Sequence, residues 1–387
     1  GEVMEVEAGN YHYEYCPTED LRQRYNNKTM FKDMMHDPEA MKVIERVSPM
    51  LMYFLSTGNQ DYFYESIQSL EKLFYMGFTR EIVSEQSYPS FLIWRKNKMA
   101  DFYRAEKVND RVTAILSLTG EIMYLVNGSE RSLLIDTCVG AGNLRDFVER
   151  LTEKPLTVLL THGHIDHAMG APEFTGNDGK KECEIYMNHA DTEIYLGMNS
   201  IENRKGYVLA GLGGQMPEGL EETFLPPAPM TFKDLKDGDR FDLGGISVET
   251  YALPGHTPGT MVMLIPEEKI LILGDACNNA TFLFDKNSLT VEEYRENLIQ
   301  IQNRLEGRFD TTCLCHHVIW ASKDMIRSVI EVCDTIMKDQ ADDVPFNFMG
   351  QQAFVAKKAN EYFNRLDGGE GNIIYSKEKI RKKEVTP

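Results

Sequence analysis

Leu156-Thr-Val-Leu-Leu-Thr161-His162-Gly163-His164-Ile165-Asp166-His167 decides the reading of this chain. The run up to Thr161 is apolar and partly β-branched, the pattern of a buried strand, and polar residues follow it at once. His162 and His164 are two apart, so an extended backbone points both to the same side. Gly163 between them leaves room for a tight bend. Asp166 and His167 are expected to begin a helix, which turns them toward a neighbouring point. Imidazole and carboxylate are the ligands that zinc, iron and manganese take. The chain has nine His in 387 residues. Three of them with an Asp, packed into six positions beside a buried strand, read as the nucleus of a two-metal site rather than as ordinary loop residues.

Four other strand-like runs end in residues of the same kind. Ser132-Leu-Leu-Ile-Asp136 ends in a carboxylate, and Pro254-Gly-His256-Thr-Pro-Gly259 is a turn holding one His. Ile270-Leu-Ile-Leu-Gly-Asp275 ends in a second carboxylate, and Thr311-Thr-Cys-Leu-Cys-His316-His317 in a pair of His. In this order the five segments resemble the motifs of the metallo-β-lactamase superfamily, whose signature is His-x-His-x-Asp-His. The match covers about residues 100–335.

The resemblance implies an α/β fold, an αββα sandwich with metals at one edge of its two sheets. It places His162, His164 and His256 on one metal, and Asp166, His167 and either His316 or His317 on the other, with Asp275 bridging. Of the paired His, His316 is favoured and His317 is the alternative, since neighbours on an extended segment face opposite ways. Asp136 would touch neither metal and instead position the His loop by hydrogen bonds. His189 falls outside the ligand set. The implied cofactors are two divalent ions, zinc first, with iron or manganese as alternatives.

The implied activity is hydrolysis of an ester, thioester or lactone-like small molecule by a metal-bridging hydroxide, with Asp166 orienting it and relaying a proton. Asp275 stands where zinc β-lactamases commonly carry Cys, and His164 where the diiron flavoproteins carry Glu. Both departures turn the resemblance toward the Asp-bridged, glyoxalase II-like and lactonase-like members. The alternatives are phosphodiester hydrolysis and a non-catalytic metal-binding scaffold that recruits a partner.

Composition narrows the partners. A net charge of −19 argues against nucleic acid, because phosphate binding is driven by Lys and Arg; the basic run at 377–383 reads as a solvated tail. The longest apolar runs are far too short to span a bilayer, so no membrane is expected. Seven Cys, an odd number without zinc-knuckle spacing, fit a reduced cytoplasmic interior. Oligomeric state is not written in the sequence.

Four regions separate by texture. Residues 1–17 alternate apolar and polar positions and read as one or two strands; a start inside a strand suggests the end of a larger protein. Residues 18–90 read as helices, with a start signal at Asp37-Pro38-Glu39 and a Met-rich stripe. Residues 91–340 form the metal-binding domain, and 341–387 are expected to pack a helix and a strand on it. Within that domain the glycine-rich stretch Met198–Asp239 fits a lid or pocket wall as well as it fits a surface insertion.

Overall fold

The computed structural model describes residues 3–6, 11–14 and 102–382, apart from 177–179, 213, 229, 317, 349–350 and 361–362. The expected helical region 18–90 lies outside the described residues, as does His317. The chain divides into two compact units, Gly1–Asp101 with Leu209–Glu218, and Phe102–Val208 with Gly219–Pro387. In the first, β1 (Val3–Val6) and β2 (Tyr11–Glu14) pair antiparallel.

The second unit opens with an antiparallel meander of β3 (Tyr103–Lys107), β4 (Val112–Ser117), β5 (Ile122–Asn127) and β6 (Ser132–Ile135). The chain then crosses through α1 (Leu144–Glu149) to β7 (Leu156–Leu159), and through α2 (Ile165–Ala168) to β8 (Glu184–Met187). It continues through α3 (Thr192–Met198) and α4 (Ile201–Gly211) to β9 (Lys233–Asp234). Strands β6 to β9 run parallel, completing a seven-stranded sheet in sequence order.

A second sheet repeats the plan. Strands β10 (Arg240–Asp242), β11 (Ser247–Ala252), β12 (Met261–Ile265) and β13 (Ile270–Ile272) are antiparallel neighbours. After β14 (Thr281–Leu283), α5 (Val291–Leu305) returns the chain to β15 (Thr311–Cys313), parallel to β13, and β16 (Trp320–Ser322) closes the edge. Helix α6 (Met325–Met337) leads to β17 (Val344–Phe348), β18 (Gln351–Val355) and β19 (Ile373–Tyr375). These three join β14 in a small third sheet. Described residues beyond 341 therefore supply three strands and one 3-10 turn, Lys377–Lys379, where a helix and a strand were expected.

Alternation along the strands makes the sandwich. On β12, Met261, Met263 and Ile265 join Ile115's strand neighbours Ala114 and Leu116, with Leu133 and Ile135, in one core between the two sheets. Val262 and Leu264 point the other way, into a core shared with Leu298 and Ile301 of α5 and Val329 and Val332 of α6. A strand with both faces buried must be apolar throughout, and β12 is. Helix α5 starts at a reciprocal cap: Glu293 donates its backbone N–H to Thr290 Oγ1 (3.2 Å) while its carboxylate accepts from Thr290. On the outer side of the first sheet, the Tyr103 ring lies 5.9 Å from that of Phe147 on α1. The site residues all follow strand C-termini, the edge where open α/β sheets place their ligands. Among the described residues no helix is long and apolar enough to cross a membrane.

Candidate metal centre

The first half of the site is built by β6, β7 and the turn into α2. Asp136 follows β6 with a left-handed φ of 66° and is fully buried. One carboxylate oxygen accepts from the Thr161 backbone N–H (2.7 Å), and the other from Thr161 Oγ1 (2.8 Å) and His167 Nδ1 (2.8 Å). One side chain thereby ties the end of β7 to the first turn of α2. With Nδ1 so engaged, His167 presents Nε2 to the site. Thr161 Oγ1, donating to Asp136, accepts from His162 Nδ1 (3.0 Å) and leaves the His162 Nε2 lone pair free in the same way.

The second half comes from the other sheet. His256 follows β11 and donates from Nδ1 to the Phe282 carbonyl (2.9 Å). Its Nε2 is buried and has no hydrogen-bond partner among the described residues. Asp275 follows β13 in a 3-10 turn, where Asn278 Nδ2 donates to Oδ1 (3.1 Å). His316 follows β15, its backbone bridged to Glu121 at the start of β5.

These side chains converge as two groups of possible ligands: His162, His164 and His256, and Asp166, His167, Asp275 and His316. Asp275 Oδ2 lies between them, 3.2 Å from His167 Nε2 and 3.3 Å from His316 Nε2. The same oxygen is 3.7 Å from His256 Nε2 and 4.0 Å from His162 Nε2. His162 Nε2 and His164 Nδ1 are 3.0 Å apart, and His316 Nε2 is 3.3 Å from Asp166 Oδ2. Donors held tetrahedrally about an ion at zinc distances lie roughly 3.3 Å apart. The spacing and the orphaned His256 nitrogen both fit divalent metals. A third cluster, Asp136, His167 and Cys315, is already satisfied internally: Asp136 takes the hydrogen bonds above, and the Cys315 thiol, pushed up by burial and Asp136, donates to it (3.8 Å). His189 stays apart, its Nε2 bonded to the Phe232 carbonyl (2.9 Å).

The two groups differ in charge. Burial, together with the neighbouring His256, pushes His164 down to about 3, and burial with His167 and His164 pushes His162 well down too. Both are neutral donors at pH 7. In the other group burial opposes charge, yet Asp275 and Asp166 hold His316 up at about 10, and Asp166 and Asp136 raise His167. Reciprocally, those imidazoles outweigh burial and keep Asp166 and Asp275 well below the usual carboxylate range.

Several residues that position the site were not singled out by the sequence reading. Asp191, just past β8, accepts from the Gly163 N–H (2.9 Å), the Gly259 N–H (2.7 Å) and Thr257 Oγ1 (2.6 Å). It clamps the His162–His164 loop to the His256 loop. A Cβ on Gly163 would come within 2.7 Å of the Asp191 carbonyl, so the glycine serves a close approach as much as a bend. Asp191 lies four residues past the end of β8, at the end of a 3-10 turn, so no strand-end pattern marks it. Tyr207, which reaches Asp166, and Glu121, which meets Tyr207, left no such mark.

A family model described as the metallo-beta-lactamase superfamily matches residues 122–303. Over those residues the chain is similar to that superfamily. The chain is 32% identical over 135 residues to the uncharacterized protein Rv2581c of Mycobacterium tuberculosis, covering 35% of this chain and 54% of that one. It is 24% identical over 211 residues to the human acyl-coenzyme A thioesterase MBLAC2, covering 49% of this chain and 73% of that one. A solved metallo-beta-lactamase from Pontibacter korlensis aligns over 59% of this chain and 97% of its own, at 17% identity and a TM-score of 0.43. The chain spans about half the length of the first curated relatives it matches. The superfamily match stops short of His316, whose place in the site is known from the fold.

Proposed function

We propose that this protein is a binuclear metal-dependent hydrolase acting on a thioester or related activated acyl compound. The observation that carries the reading is Asp275 Oδ2, one carboxylate oxygen within 4.0 Å of imidazole nitrogens from both ligand groups. His162, His164 and His256 would hold one ion, and Asp166, His167 and His316 the other, with Asp275 shared. Divalent ions so held supply Lewis acidity, making water nucleophilic near neutral pH and withdrawing charge from the bond under attack.

The protein's own residues orient and move protons. Asp166, kept ionised by His167 and His316, would take a proton from the attacking water and return it to the leaving group. Asp136 and Asp191 hold the imidazoles so that none must reorganise during the reaction. A thiolate leaves readily near neutral pH, since its conjugate acid has a pKa of about 8.5, whereas an alkoxide or amide nitrogen demands a stronger proton donor. That difference favours thioesters over esters and amides. The named activity of the MBLAC2 relative, acyl-coenzyme A hydrolysis, points the same way. Six described cysteines, all free, suit a reducing compartment such as the cytoplasm.

Metal analysis of the purified chain is expected to find about two ions per chain, and a panel of acyl thioesters read by free-thiol release should show turnover that Asp166→Ala removes. A fully metallated protein inert toward thioesters, esters and lactones would overturn the hydrolase in favour of a metal-binding scaffold. Preferential cleavage of phosphodiesters would replace the acyl substrate with a phosphoryl one.

A further inference from the structure

The stretch between the second and third site motifs carries α4, and Tyr207 on that helix reaches the metal centre. Its hydroxyl lies 2.9 Å from Asp166 Oδ2 and 2.8 Å from Glu121 Oε1. The same Asp166 oxygen is 3.3 Å from His316 Nε2 and 3.5 Å from His167 Nε2. Tyr207 therefore touches the same oxygen that faces the two imidazoles.

Both ends of this contact are anchored. Glu121 is buried, and its other oxygen is engaged by Ser117 Oγ, Thr119 Oγ1 and the Cys138 thiol. Its backbone pairs with His316, so the carboxylate that steadies Tyr207 is fixed to the strand end that carries a ligand. On α4 itself, Arg204 sits one turn before Tyr207 and is completely buried. Arg204 Nη2 donates to the Leu225 carbonyl (2.5 Å), and Nη1 lies 3.4 Å from the Val139 and Gly140 carbonyls in the loop after Asp136. A helix held by such an arginine presents Tyr207 at a set height and direction. At this point the stretch that fits a lid by composition is bolted to the site.

We propose that Tyr207 is a positioning residue: steadied by Glu121, it fixes the Asp166 carboxylate on the His167–His316 half of the centre and sets how tightly that half holds its ion. The inference rests on the two-ion reading above. An aspartate carboxylate turns about two side-chain bonds and has several orientations; a hydroxyl donor on one oxygen removes most of them and lowers the entropy lost when the ion binds. Among the described residues no hydrogen bond joins Tyr207 to His162, His164 or His256, so the other half is unaffected.

The test is competitive chelator titration of Tyr207→Phe against the wild type, with zinc as the ion. Expected is a loss of about 10- to 100-fold in affinity for one of the two ions, the scale on which supporting hydrogen bonds act, while the other is unchanged. Glu121→Ala, which removes the group that steadies the hydroxyl, should weaken the same ion to a smaller extent, and it decides the question alone if Tyr207→Phe does not fold. Wild type holding two ions and both variants binding them with unchanged affinity would overturn this inference and leave the two-ion reading standing. Equal weakening of both ions would also overturn it, since that is the mark of general structural damage. A wild-type chain that takes up only one ion would overturn the two-ion reading and this inference with it.

Discussion

The two halves of the metal centre are assembled on one sandwich edge and differ in charge. His162, His164 and His256 form a pocket with no carboxylate of its own, in which burial keeps His162 and His164 neutral. Asp166, His167, Asp275 and His316 form a pocket in which two ionised carboxylates hold protons on the imidazoles. Asp275 Oδ2 faces both. The all-imidazole half depends on that shared oxygen for charge compensation, whereas the carboxylate half also has Asp166, its charge balanced by the protons on His167 and His316 until an ion displaces them.

Asp275→Ala should therefore have the largest effect. It is expected to strip both ions and abolish turnover, read by metal content and thiol release; retention of one ion at wild-type affinity would break the picture of a shared carboxylate. Next, single ligand removals should separate the halves. His256→Ala is expected to lose one ion and His316→Ala the other, so that each leaves about one ion per chain. If either variant loses both, the halves are not independent.

Smaller effects sharpen the comparison through the residues behind the ligands. Asp191→Asn loosens the clamp between the His162 and His256 loops, and should weaken the all-imidazole half by about 10-fold with the carboxylate half spared. Asp136→Asn should weaken the carboxylate half on the same scale through His167, measured in the same titration. Equal losses in both variants would show that the loops move as one body.

A separate effect lies outside both halves and serves as a control on pH dependence. Burial pushes Glu173 from its ordinary 4.5 up to about 7, against the Arg145 and Leu144 N–H groups that favour its charged form. The folded protein thus holds a proton more tightly than the unfolded chain. The stability this adds is complete below about pH 4.5 and is lost as pH rises through 7, to a maximum of roughly 3 kcal/mol. Denaturant melts of the metal-free protein at pH 5 and 8 should show the fall, and Glu173→Gln should remove it. A fall that persists in the variant belongs to the metal centre instead.

Much of the second unit was legible from short-range pattern. The run read from Leu156 to Thr161 matches β7 to within two residues, because an apolar run with both faces buried carries its own signature. Helix α5 was overlooked although Thr290 and Glu293 spell its cap. The site separates along the same line. His162, His164, Asp166 and His167 lie on one turn, and local spacing alone brings them together.

What the sequence by itself determined was the ligand chemistry: which side chains end strands, and which metal class they suit. Only the tertiary structure decided that Asp275 faces both groups, that Asp191 clamps two loops, and that Tyr207 meets Asp166 and Glu121. The Asp191–Gly259 bond joins residues 68 apart and the Tyr207–Glu121 bond residues 86 apart. No spacing rule encodes such contacts, because they depend on how two sheets and a helix pack, and the residues that make them look like any other Asp, Glu or Tyr until the chain is folded.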